Sequence, residues 1–217
     1  MSQAKKVFTR MCLNNWGGID HKVLEFHEYV NLFSGKSGSG KSTVMDAIQV
    51  ILYGSFSPSF LNKAADDAKN RRSVLSYLRG EQKDGSANRK DCDFCSVIAL
   101  EIEDTGTHII TCIGIAFEVR KSDSEIKKFV YFSHSGKMPE SEYLTEQGVC
   151  YSNQEIKKLV SARTKSDDNR GKGEVNRIYG SKEAYLGTLY DVILGYIDQN
   201  RFITMEKSAI ALKMTNG

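Results

Sequence analysis

The run Gly35-Lys36-Ser37-Gly38-Ser39-Gly40-Lys41-Ser42 constrains this chain more than any other feature, because G-x-x-x-x-G-K-S is the spacing of a phosphate-binding loop. Gly35, Gly38 and Gly40 let the backbone turn with positive φ, so that successive N–H groups point inward at phosphate oxygens. Lys41 brings a point charge to the β/γ-phosphates and is the candidate catalytic residue, while the Ser42 hydroxyl is the candidate Mg²⁺ ligand. Thr43 adds a second hydroxyl in the first helical turn, where the macrodipole favours an anion. The expected ligand is a nucleoside triphosphate with Mg²⁺, held by Gly35, Lys36, Ser37, Gly38, Ser39, Gly40, Lys41, Ser42 and Thr43.

The flanks agree with that reading. Glu28-Tyr29-Val30-Asn31-Leu32-Phe33 is β-prone and is expected as the strand that feeds the loop. Ser42 to Tyr53 places Val44, Ala47, Ile48, Ile51 and Leu52 on one helical face, with Gly54 as the stop.

A chain of 217 residues fits one large domain or a domain with a subdomain, and it can bury a proper core. A hydrophobic share of 40% and a charged share of 26% are ordinary for a soluble globular protein, and a net charge of +3 does not by itself call for nucleic acid. No apolar run reaches transmembrane length, and Met1-Ser2-Gln3-Ala4-Lys5-Lys6 leads into a strand rather than a signal peptide. Cys12, Cys92, Cys95, Cys112 and Cys150 lack framework spacing; Cys92-x-x-Cys95 stands alone, so reduced thiols and a cytoplasmic location are expected.

Along the chain, residues 6–16 read as a strand closed by Gly17-Gly18, and Lys22 to Phe26 as a second. Together with 28–33 they suggest antiparallel pairing ahead of the loop. Ser55 to Phe60 reads as a loop, Leu61 to Arg79 as one helix stopped by Gly80, and Glu81 to Lys90 as a turn. Ser96 to Glu103 and His108 to Val119 form a hairpin around Asp104-Thr105-Gly106, with Lys128 to Ser133 as a third strand. Ser152 and Glu155 have capping-box spacing ahead of Ile156, Leu159 and Val160. Arg163 to Glu174 is polar and twice interrupted by glycine, and is expected to be poorly ordered. Lys182 to Tyr196 reads as a final helix.

Trp16-Gly17-Gly18, followed by the phosphate loop running into Ser42-Thr43-Val44-Met45-Asp46-Ala47-Ile48-Gln49, resembles the N-terminal head half of SMC-like ATPases. The strand ending in Asn15-Trp16 is similar to MukB-like proteins, and Arg72-Ser73-Val74-Leu75-Ser76-Tyr77-Leu78-Arg79-Gly80 with the hairpin at 96–119 resembles the JetC-type, MukB-like ATPases of the Wadjet anti-plasmid system. The likeness spans most of residues 6–133. It implies an α/β P-loop NTPase of the SMC/ABC-head type, with a mixed sheet and an antiparallel β subdomain. The organisation it implies is a P-loop core at about 1–80, the β subdomain at about 96–133 and a helical, partly mobile region at about 150–217. It implies ATP as the nucleotide and, as partners, a C-terminal head half or second SMC-like head, kleisin and winged-helix subunits, and double-stranded DNA gripped without sequence choice. The likeness also implies a separate nuclease subunit that cuts the plasmid.

The chain departs from that family plan. It lacks a Ser-Gly-Gly signature and a heptad tract, and Ile98-Ala99-Leu100-Glu101-Ile102-Glu103-Asp104 alternates as a hairpin strand does rather than ending a Walker B strand in Asp-Glu. The carboxylates that hold Mg²⁺ and orient water are therefore expected from elsewhere, and the chain reads as a partial head, inactive alone.

Other features divide between function and structure. Arg71 and Arg72 sit where SMC heads carry an arginine that reaches phosphate or DNA, or form a solvated basic pair. Asp46 reads as a helix-surface charge or a contact one shell behind the phosphates. Lys157, Lys158, Arg163, Lys165, Arg170, Lys172 and Arg177 form a diluted basic stretch that suits a solvated loop better than a DNA site. Arg89 and Lys90 read as turn charges, and Trp16 as core or adenine neighbour. The four histidines have no metal-ligand spacing. Two rivals stand beside the SMC reading: a small-molecule P-loop kinase, which the strands ahead of the loop disfavour, and a nucleotide-binding fragment that never turns over.

Overall fold

The computed structural model describes residues 4–36, 40–57, 61, 73–82, 85–166 and 175–195. Six strands make one sheet: β1 (Lys6–Trp16), β2 (Ile19–Glu25), β3 (Phe94–Asp104), β4 (Ile110–Val119), β5 (Lys128–Ser135) and β6 (Arg177–Tyr179), in the order β2-β1-β3-β4-β5-β6. Every neighbouring pair is antiparallel. The α/β class holds, and the antiparallel part is larger than expected. β1 pairs directly with β3, so the strands before and after the phosphate loop share one ladder, with no parallel pair among the described residues.

The sheet is covered on both faces, which is why its central strands read as near-continuous apolar runs. Because successive side chains alternate, Met11, Leu13, Ile98, Leu100, Ile113, Ile115 and Phe117 point to one face. There they meet α1 (Lys41–Tyr53), α2 (Val74–Arg79), α4 (Lys182–Thr188) and the π-helical turn Leu189–Leu194. Cys12, Val97, Ala99, Cys112, Ala116 and Phe132 point the other way, under the segment 136–151 and α3 (Asn153–Ser166). The capping box forms: the Glu155 carboxylate accepts from the Ser152 backbone N–H at 2.6 Å, and the Glu155 N–H donates to Ser152 Oγ at 3.3 Å. The π-helical turn ends at Gly195 where one continuous helix was expected, and Tyr196 lies outside the described residues.

α1 is the element that positions the site, and its C-terminal end is closed by side chains. A helix leaves its last carbonyls without intrahelical partners. Tyr185 donates to the Ile51 carbonyl at 2.9 Å, Tyr190 to Leu52 at 2.9 Å and Tyr131 to Gly54 at 2.7 Å. Ala47, Val50 and Ile51 press its apolar stripe onto the sheet.

Among the buried polar groups of the opposite face are Glu101 and His134. Glu101 sits mid-strand in β3, where Thr9 donates to one carboxylate oxygen at 2.7 Å and the Met138 N–H to the other at 2.6 Å. Both oxygens are thereby occupied by the fold, and Glu101 is buried where the alternation suggested a half-buried strand. His134 is 0% exposed, bonded to the Tyr143 hydroxyl and the Ser135 carbonyl at 3.0 Å each. Burial pushes its imidazole from 6.5 down to about 4.

The unfolded chain therefore binds a proton at His134 before the folded one does. Its contribution to stability is complete above pH about 6.5 and declines as the pH falls toward 4. The expected loss from this group alone is about 2 kcal/mol at pH 4.5 relative to pH 7.5. Urea unfolding at the two pH values checks this, with His134→Gln expected to remove that share of the acid sensitivity.

Candidate nucleotide site

The phosphate loop opens directly onto α1. Gly40 is the N-cap in the left-handed region, at φ 88°, a conformation that a side chain resists, so the loop turns there and α1 starts at Lys41. The Lys41 ammonium donates to the Gly35 carbonyl at 2.6 Å and to the Lys36 carbonyl at 2.9 Å. It spans the loop from the helix back to the loop's first residues. Ser42 is exposed and Thr43 half-buried in the first turn. Gly35, Lys36, Gly40, Lys41, Ser42 and Thr43 are thus brought together, whereas Ser37, Gly38 and Ser39 lie outside the described residues, as do Arg71 and Arg72. This donor set, an ammonium, a hydroxyl and main-chain N–H groups at a helix N-terminus, fits a magnesium–triphosphate.

The expected feeding strand is not formed. β2 ends at Glu25, Phe26 makes one more backbone bond to Thr9 at 2.9 Å, and residues 27–35 then leave the sheet. Asn31 closes a local ring instead: its Oδ1 accepts from the His27 N–H at 2.7 Å and its Nδ2 donates to the His27 carbonyl at 2.8 Å. A strand needs a neighbour to hold its ladder, and without one an Asn side chain competes for the backbone. Tyr29, Val30 and Leu32 are left 79%, 76% and 88% exposed.

Behind the first turn of α1 lies a set of contacts that the sequence left open for Trp16 and Asp46 and placed in a turn for Arg89. Asp46 is fully buried rather than a surface charge, and the Tyr77 hydroxyl donates to its Oδ2 at 2.8 Å. Trp16 is fully buried, and its indole N–H donates to the Thr43 carbonyl at 2.9 Å. The Trp16 and Tyr77 rings lie 5.1 Å apart. Arg89 is buried too: its guanidinium donates to Leu78 at 2.9 Å, to Asp20 at 2.7 Å and to the Gly17 carbonyl. Burial lowers its pKa, partly offset by Asp20. The signal that could have found this cluster is aromatic residues set close to glycine turns, Trp16-Gly17 and Tyr77-x-x-Gly80.

Two further expectations change. Ser73 is extended, at φ −71° and ψ 159°, and caps the Ser76 N–H at 3.1 Å, so α2 begins afresh there instead of continuing a helix from Leu61. Residues 163–166 are the last turn of α3, with Arg163 bonded to the Lys137 carbonyl at 3.3 Å, while 167–174 lie outside the described residues. The five cysteines are free, and Cys92 and Cys95 belong to no metal-binding cluster among the described residues. Desolvation pushes the Cys12 thiol up to about 12 and Cys95 to about 11. No helix of the described residues is long and apolar enough to cross a membrane.

Comparison with known proteins fits this geometry. Residues 8–68 match the P-loop containing region of the AAA domain. The matched region takes in most of β1, all of β2, the phosphate loop and α1. A curated relative, a component of the nuclease SbcCD from Staphylococcus haemolyticus (strain JCSC1435), is 34% identical over 74 residues, which is 32% of this chain. The match spans 6% of that relative's length. A solved chain, described as concerning ATP-driven dimerization and DNA-stimulated activation of SMC ATPases, is 16% identical, with a TM-score of 0.34, over 60% of this chain and 72% of its own.

Proposed function

We propose that this chain is the nucleotide-binding part of an SMC-type ATPase head, holding ATP with Mg²⁺ on the loop Gly35–Thr43. The observation that carries the reading is Lys41, drawn across the phosphate loop at the N-terminus of α1 within the matched P-loop region. When bound, Mg²⁺ neutralises charge on the phosphates. The chain's own part is to grip and orient the triphosphate through the loop amides, the Lys41 ammonium and the Ser42 hydroxyl.

Turnover, in this reading, needs an acidic strand and a signature segment from a C-terminal head half or a second head. The exposed Tyr29, Val30 and Leu32 support completion by such a partner, because a β-prone apolar run outside the sheet suits a strand laid beside it. The finer role is that of the JetC-type family: cytoplasmic, acting with kleisin and winged-helix subunits on double-stranded DNA in plasmid defence. The joining of Trp16-Gly17-Gly18 to Tyr77-Leu78-Arg79-Gly80 at the base of the loop supports that assignment, since these segments carry the resemblance.

A turnover assay on the purified chain, with and without double-stranded DNA, tests the proposal. The expected result is ATP binding with negligible hydrolysis, rising when a completing head half is added. Phosphoryl transfer to a small acceptor, with neither DNA nor partner present, would replace it with the kinase reading.

A further inference from the structure

α1 is held at both ends, but by groups with different consequences. Its apolar stripe fixes how deeply it lies on the sheet, and such contacts are non-directional. Three tyrosine hydroxyls close its C-terminal end. At its N-terminal end, Trp16 on the Thr43 carbonyl and Tyr77 on the Asp46 carboxylate are directional. Thr43 and Asp46 are three residues apart, so they share one face of the helix. Both bonds reach the end of α1 that carries the loop-facing main-chain N–H groups and Ser42.

The frame that carries Tyr77 and Trp16 leaves little room to adjust. A Cβ on Gly17, at φ +59°, would lie 2.8 Å from Thr43 Cγ2 and 3.2 Å from the Tyr77 ring. A Cβ on Gly80 would lie 2.7 Å from the Gly17 carbonyl oxygen, and the buried Arg89 ties that carbonyl to Leu78 at the end of α2. The β1–β2 turn and the C-terminal end of α2 are thereby joined into one block facing the first turn of α1. Arg79 extends it to the β4–β5 connection, donating to the Lys121 and Asp123 carbonyls at 3.1 and 2.7 Å.

We infer that Tyr77, through Asp46, and Trp16, through Thr43, are positioning residues that set the phosphate-binding geometry of α1 without touching the nucleotide. The inference rests on the proposed ATP site and deepens it. Tyr185 provides the control, because its hydroxyl makes a comparable buried bond at the far end of the same helix.

The test is calorimetric titration of the 217-residue chain with ATP and Mg²⁺, comparing Tyr77→Phe with Tyr185→Phe. Tyr77→Phe is expected to weaken binding about tenfold, and Tyr185→Phe less than about twofold, at similar losses of thermal stability. Trp16 is the chain's one tryptophan, so its emission reports on this block directly. Tyr77→Phe should shift that emission before any nucleotide is added, and Tyr185→Phe should not. Equal losses of affinity in both variants, or none in either, would overturn the positioning role. Should Tyr77→Phe fail to fold, Trp16→Phe removes the other bond while keeping a ring, and the same tenfold loss is required of it. Failure of the unaltered chain to bind ATP sinks the nucleotide reading itself, an outcome distinct from unaltered binding in Tyr77→Phe.

Discussion

Lys41→Ala is expected to weaken ATP·Mg²⁺ binding about 100-fold while leaving the urea midpoint close to that of the unaltered chain. The ammonium is the loop's point charge, and a hydrogen bond to a charged group contributes about 1.5–3 kcal/mol, roughly one to two decades of affinity. Its present partners, the Gly35 and Lys36 carbonyls, belong to exposed residues, so water replaces the lost bonds at little cost to the fold. Lys41→Arg should recover only part of the affinity, because a planar fork cannot occupy the place of a compact ammonium. Equilibrium dialysis with labelled ATP checks both variants. A Lys41→Ala chain that binds as tightly as the original would show that the ammonium has no phosphate to meet.

The largest effect on stability is expected at Gly114, in the middle of β4. A Cβ there would lie 2.5 Å from the Ile98 carbonyl oxygen on the neighbouring strand and 2.6 Å from the Phe132 ring. The oxygen belongs to a backbone ladder and the ring is fully buried, so neither gives way cheaply. Gly114→Val is expected to cost about 3 kcal/mol or more, at the upper end of overpacking in a filled core. Gly18→Ala is the comparison, because a Cβ at Gly18 meets nothing within 4 Å. It should change stability by less than about 0.5 kcal/mol. Denaturant unfolding of the two variants separates a glycine that the packing requires from one that only fills a turn.

What the sequence made legible is what local chemistry decides. The extent of β1, the β3–β4 hairpin, the stop at Gly54 and the Ser152–Glu155 capping box all follow from patterns within a few residues. The phosphate loop was equally plain, since its glycines, lysine and hydroxyl stand at fixed spacing. Residues 28–33 show where that reasoning stops. Their β propensity is real, but a strand exists only beside another, and the side chain of Asn31 takes the backbone first.

The same limit hid the block behind the loop. Asp46 stayed open between a surface charge and a contact behind the phosphates, because helical periodicity alone cannot reveal that Tyr77, thirty-one positions on, closes over it. Arg89 looked like a turn charge because its carbonyl partners on Gly17 and Leu78 come from separate segments. Ser73 was legible in principle, as a capping serine ahead of Val74, but the alanine-rich stretch before it favoured one long helix.

The most direct measurement is a crystal structure of the chain grown with Mg²⁺ and a non-hydrolysable ATP analogue. Phosphate oxygens are expected at the N-terminus of α1, with the Lys41 ammonium moved from the Gly35 and Lys36 carbonyls onto them and the Ser42 hydroxyl on the metal. A loop that stays empty at saturating analogue, with Lys41 still on those two carbonyls, would contradict nucleotide binding at this site.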